Sequence, residues 1–167
     1  ACHLENNTCF AYMDGRRMVV YSCNQVPHTL RRNIAEAIGM PLGDVRVVKP
    51  FLGGGFGNKQ DTMYEPLVAL ASQRLGGRCV AITLSREETF VNTRTRHGFD
   101  MTIAAAADEA GDLTHRGIRI NSNGGSYAAH THAVAAYAVT SNFQTYKASA
   151  VQIGESSTVY TNLPSAA

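Results

Sequence analysis

Four glycines, Gly53, Gly54, Gly55 and Gly57, crowd around one aromatic residue, Phe56, in the stretch "PFLGGGFGNKQ" from Pro50 to Gln60. Glycine weakens a helix or strand interior by about 0.5–1 kcal/mol per residue, so this stretch is a connection and the regular elements lie on either side. Upstream, "DVRVVKP" reads as a strand running into the glycines. Downstream, "EPLVALASQRLGG" reads as a helix, with Pro66 tolerated in its first turn and Gly76 and Gly77 ending it. A strand-to-helix turn without Cβ atoms can turn its N–H groups toward oxygen atoms of a ligand, with Phe56 as a flat apolar wall. A tight connection packed on the core has the same composition, and pattern alone does not choose between them.

Two ligand classes drop out at once. A phosphate-cradling loop of the GxxxxGK[ST] kind needs a glycine before its lysine and a hydroxyl after it; here Asn58 precedes Lys59 and Gln60 follows. The dinucleotide fingerprint GxGxxG fails as well, because Asn58 stands where its third glycine is required.

Around the loop, "TCFAYM" and "RRMVVYS" are β-prone runs, and Thr8 to Met13 and Arg16 to Ser22 are expected to pair across Asp14 and Gly15. Leu30, Ile34 and Ile38 recur at helical spacing from Pro27, with Gly39 suited to the C-cap. Further on, "CVAITLS" reads as a strand and "REETFVN" as a short helical or irregular segment. "HGFDMTIAAAA" and "DLTHRGIRINSNGG" read as strands joined by "DEAG", and "YKASAVQI" as another strand. Strands and helices mix without regular βαβα alternation, which predicts an α+β fold in a single domain over residues 1–167.

With 15 basic and 13 acidic residues the net charge is +2, and pairs such as Arg31-Arg32 form no stripe that follows a phosphate backbone, so nucleic acid is not an expected partner. No apolar run is long enough to cross a bilayer, and membrane association is not expected. Cys2, Cys9, Cys23 and Cys79 contain no CxxC pair, so they read as reduced thiols of a cytoplasmic protein and not as ligands of zinc or an iron–sulfur cluster. The chain opens on "ACHLEN" and stops on "TNLPSAA" after a strand and turn, as expected of a piece of something longer.

Several separated motifs occur in a familiar order: "YSCNQVPHTLRRNIAEAIGMPLGDVRVVKPFLGGGFGNKQ", "YEPLVALASQRLGGRCVAITLSREETF" and "TRTRH". Together they resemble the molybdenum-binding subunits of bacterial xanthine dehydrogenases, members of the molybdenum hydroxylase family, from about His3 to Ala167. The resemblance implies a molybdopterin-binding domain excised from a longer subunit that hydroxylates purines, hypoxanthine and xanthine to urate.

It also implies roles for particular residues. Gln25, in "SCNQVPH", matches a glutamine that hydrogen-bonds an oxygen ligand of molybdenum, as an amide N–H donor can; read from sequence alone, Gln25 equally suits a cap on the helix that begins near Pro27. Gly54, Gly55, Phe56 and Gly57 match the loop beside the cofactor. Gln60 falls where many xanthine-oxidising members carry a glutamate that helps orient the purine, so this chain departs from the pattern there. No side chain is implied as a direct metal ligand, and none as catalytic: the base and the substrate-orienting arginine belong to parts of the subunit outside this chain, which by itself is expected to be inactive. His97, in "RTRH", reads as a hydrogen-bonded structural residue. His130 and His132 would share one side of a strand, but a metal role is not expected of them. Arg86, Glu87 and Glu88 form a local charge cluster to which a structural role is assigned.

As cofactors, the resemblance implies molybdenum–molybdopterin, in many bacterial members as the cytosine dinucleotide. As partners it implies separate FAD and [2Fe–2S] subunits that pass electrons to NAD, the remainder of the same molybdenum subunit, and a purine substrate. Two other readings share the glycine loop: a molybdenum hydroxylase for an aldehyde, an N-heterocycle or an aromatic thioester, and a non-catalytic module whose loop serves packing or assembly.

Overall fold

The computed structural model describes residues 2–127, 130–146 and 150–161. They fall into two compact units, residues 1–93 and 94–167.

In the first unit, β1 (Thr8–Asp14) and β2 (Arg17–Ser22) form the hairpin expected from sequence, pairing Asp14 with Arg17 across a two-residue turn in which Gly15 has φ +58°. The primed turns that suit a two-residue hairpin require a positive φ at this point. Helix α1 (Pro27–Ile38) buries Leu30, Ile34, Ala35 and Ile38 and ends at Gly39, whose left-handed backbone stops it. It carries the chain over the sheet to β3 (Val45–Val48), which lies parallel to β2. After the glycine loop, α2 (Glu65–Arg74) leads to β4 (Val80–Thr83), antiparallel to β1, giving the order β3-β2-β1-β4. Alternate residues of the hairpin, Cys9, Ala11, Met18 and Val20, meet α1 together with Val45, Val68 and Ala69 in one apolar core. The unit ends in α3 (Arg86–Asn92), started by a capping box between Ser85 and Glu88.

In the second unit, β5 (Gly98–Ala107) and β6 (Leu113–Asn123) form another hairpin, closed by Asp108, whose carboxylate accepts the N–H groups of Ala110 and Asp112. Helix α4 (Thr131–Gln144) follows, then β7 (Val151–Val159), parallel to β6, in the order β5-β6-β7. The α4 segment has no assigned element in the sequence reading; His130 occupies its N-cap position and His132 lies in its first turn, instead of the two sharing a strand face. Its missing amphipathic stripe is the reason, since only Thr131 and Ala135 are buried along it. The expected strand "YKASAVQI" is observed from Val151 onward, with residues 147–149 outside the described set. Each unit thus uses one plan: a hairpin, a crossover helix, and a strand parallel to the second hairpin strand.

The cysteines are free, with Cys2 and Cys79 exposed and Cys9 and Cys23 buried. Burial, reinforced by the charge of Glu65 and by Cys23, pushes the Cys9 thiol up to about 12. A thiol whose folded value is raised adds stability that is fully present below its unfolded value of 9.0 and is lost as pH rises toward 12. In the full-length subunit we expect Cys2 and Cys79 to alkylate at pH 8 well before Cys9 and Cys23, by peptide mass mapping. Equal rates for all four would contradict the burial described.

Candidate functional site

Gln25 lies between the end of β2 and the start of α1, in a segment held by its neighbours. The Ser22 hydroxyl accepts the Asn24 N–H at 3.1 Å, and the Asn24 carboxamide accepts the Val26 N–H at 2.7 Å and donates to Asp61 O at 2.7 Å. The N-cap of α1 is Val26, with no side-chain cap, so the helix-capping role open to Gln25 in sequence is not the one it takes. Instead Gln25 pairs with the glycine loop. Its backbone N–H donates to Lys59 O at 2.7 Å, and its side-chain Oε1 accepts the Lys59 N–H at 3.2 Å. That bond uses the carboxamide's acceptor and fixes which way the amide lies. Nε2, a double donor, makes no hydrogen bond among the described residues.

Gly55 explains why the loop needs glycine here. A Cβ on it would stand 2.4 Å from Gln25 Cδ and 2.5 Å from Oε1, closer than any side chain tolerates. Gly54 sits at φ +98°, where a Cβ would approach the His3 side chain to 2.9 Å. Phe56 takes a left-handed backbone, φ +51°, that costs a non-glycine residue about 1 kcal/mol or more, and the residue is 65% exposed. The structure therefore brings together Gln25, Gly55 and the backbone of Lys59. Gln60, one residue on, is half-buried and makes no hydrogen bond among the described residues.

The lysine of the motif turns inward. Lys59 is 2% exposed, and its Nζ lies 2.7 Å from Glu5 Oε2 and 2.8 Å from Glu5 O. Asn58, also buried, reaches His3 at 3.2 Å and Thr93 at 2.8 Å. Sequence reasoning missed this network: a buried lysine must find a carboxylate, but Glu5 is 54 positions away and no local spacing announces it.

A second missed residue is Glu65, whose buried carboxylate accepts from Ser22 Oγ at 2.7 Å and from the N–H groups of Met63 and Tyr64 at 3.0 and 3.1 Å. It joins the end of β2 to the start of α2 and so braces both chains that flank the site. Arg86 donates to His3 O at 2.7 Å, while Glu88 belongs to the cap of α3, so that cluster acts through backbone hydrogen bonds more than through ion pairing. In the second unit, His97 Nε2 lies 2.9 Å from Thr131 Oγ1, and His132 Nε2 2.7 Å from the Tyr160 hydroxyl. No group of three His, Cys, Asp or Glu among the described residues could hold a metal ion.

These features suit a ligand rich in oxygen. The free groups are N–H donors on one fixed carboxamide, and the adjoining loop is stripped of Cβ atoms where it meets that carboxamide. Residues 1–167 match the molybdopterin cofactor-binding domain family, and the chain belongs to it. It is 42% identical over 166 residues to the xanthine dehydrogenase molybdenum-binding subunit of Escherichia coli O157:H7, covering 99% of this chain and 22% of that protein. The fold agrees with the aldehyde oxidoreductase of Desulfovibrio gigas, with a TM-score of 0.88 at 23% identity over 99% of this chain and 18% of that one. Quinoline 2-oxidoreductase of Pseudomonas putida 86 is similar at TM-score 0.80 and 26% identity, covering 99% of this chain and 22% of that one. The expected α+β fold and the family resemblance both hold.

Proposed function

We propose that this chain is one cofactor-binding domain, residues 1–167, of a longer xanthine dehydrogenase-type molybdenum subunit that hydroxylates purines. The observation that carries the reading is the Gln25 carboxamide, its oxygen held by the Lys59 N–H and its flank covered by Gly55, with Nε2 left as a donor. When bound, molybdenum–molybdopterin supplies the hydroxylating chemistry and accepts the substrate's electrons. Gln25 would hold it through Nε2, and the loop from Gly54 to Gly57 would hold it through backbone N–H groups, with Phe56 as the apolar wall. Gln60 would face the purine as both donor and acceptor, without charge.

Two further observations support the setting. The chain covers only 22% of the relative from E. coli O157:H7, so the remainder of the subunit is the first partner. The loop also carries Phe51, fully exposed at 102%, beside the exposed Phe56, as expected of a surface that other parts of the subunit cover. FAD and [2Fe–2S] subunits complete the electron path, and the cofactor carries the cytosine dinucleotide. No helix of the described residues is long and apolar enough to cross a membrane, in keeping with a cytoplasmic enzyme.

The test is a substrate screen of the complete complex purified from its host. Xanthine or hypoxanthine is expected to reduce its electron-transfer centres, with aldehydes and quinoline at least about tenfold poorer in kcat/KM, a difference of about 1.4 kcal/mol. Turnover of aldehydes or N-heterocycles alone would overturn the purine assignment and leave the domain assignment standing.

A further inference from the structure

Lys59 reaches in two directions. Its backbone makes both hydrogen bonds to Gln25, at 2.7 and 3.2 Å, while its side chain ends on Glu5 at 2.7 Å. Glu5 is itself laced to the start of the glycine run: its N–H donates to Gly53 O at 3.2 Å, and its carboxylate accepts the Gly53 N–H at 3.1 Å. An ammonium that is 2% exposed is costly unless a carboxylate neutralises it, so the ion pair fixes where the Lys59 side chain goes. With its side chain anchored, the Lys59 backbone has little freedom, and the Lys59 N–H is what orients the Gln25 carboxamide. The Gly53 bonds pin the other end of the loop to the same residue, one through the Glu5 main chain and one through its carboxylate.

We propose that Glu5 and Lys59 are positioning residues for the cofactor: their ion pair aims the Gln25 Nε2 donor, a role that rests on the cofactor role of Gln25 given above. Neither side chain touches the cofactor under this reading; both act through Gln25.

The test uses the full-length subunit, loaded in its host and purified with its partners. The readout is the rate at which molybdenum leaves the complex on incubation, measured by elemental mass spectrometry, with melting temperature as the check on folding. Gln25→Ala and Lys59→Met are each expected to speed molybdenum loss about tenfold, the lower end of what supporting residues at metal sites contribute. Because both changes act on one donor, the double variant Lys59→Met/Gln25→Ala is expected to lose molybdenum no faster than Gln25→Ala alone, and Lys59→Arg to recover most of the wild-type retention. If the complex carrying Lys59→Met does not accumulate, Glu5→Gln takes its place in the same cycle.

Losses that multiply in the double variant, to about a hundredfold, would show that Lys59 does not act through Gln25 and would overturn the proposal. So would tenfold loss from Lys59→Met with no loss from Gln25→Ala, a result that leaves the loop at the cofactor. If neither single variant changes retention, the cofactor reading of this site falls, and the positioning role falls with it.

Discussion

Gly55→Val in the full-length subunit is expected to remove molybdenum from the purified complex, to below about a tenth of the wild-type content, the range seen when supports of a metal site are lost. The reason is local and steric. The new Cβ would lie 2.4 Å from Gln25 Cδ, 2.5 Å from Oε1 and 2.9 Å from Cγ, so either the loop or the glutamine must move. The Gln25 side chain cannot swing away without giving up the Lys59 N–H bond to its Oε1, the bond that orients the carboxamide; the main-chain bond to Lys59 O would remain. Forcing atoms into such a contact costs about 1–3 kcal/mol, a lowering of stability that thermal unfolding of the same variant measures. Gly43→Ala, outside the loop, makes a useful contrast: nothing lies within 4 Å of a Cβ there and its backbone is not left-handed. It is expected to leave both the melting temperature and the metal content close to the wild type. Equal metal contents for Gly55→Val and the wild type would show that the loop can shift without consequence for the cofactor.

Glu65→Ala is expected to be the most destabilising single change in the first unit. Its carboxylate is buried and receives three hydrogen bonds, from Ser22 Oγ and from the backbone N–H groups of Met63 and Tyr64. Removing it leaves those donors unsatisfied beside the core, a loss of about 3 kcal/mol with the accompanying cavity. Denaturant unfolding of the full-length subunit, compared at its midpoint, checks the figure. Burial first, and then the charge of this carboxylate, raise the Cys9 thiol, so the Glu65→Gln variant is expected to titrate Cys9 at lower pH than the wild type. A loss below about 0.5 kcal/mol would mean that water replaces the carboxylate without penalty, which the burial of this residue argues against.

The elements that were legible in the sequence are those whose signal is local. The hairpin across Gly15, the Leu30–Ile34–Ile38 stripe ended by Gly39, and the proline-started α2 each carry their own punctuation. Helix α4 was not legible, because "THAVAAYAVTSNFQ" mixes helix-favouring alanines with β-branched residues and presents no apolar stripe to read. The shared plan of the two units was hidden for another reason: the parallel pairings of β2 with β3 and of β6 with β7 are non-local and leave no repeat in the residues. At the site, Gln25 and Gly55 were reached through the family motif, and their direct packing is a finding of the structure. In the sequence Lys59 stands out only against the phosphate-loop motif, whereas its partner Glu5 comes from the far end of the unit.

Whether this domain holds the cofactor is decided by the molybdenum content of the full-length native subunit containing it, purified from its own host with its partners and counted by elemental mass spectrometry. Close to one molybdenum per subunit is expected. No molybdenum, in a host that makes the cofactor, would contradict it and leave "PFLGGGFGNKQ" a structural turn packed on Gln25.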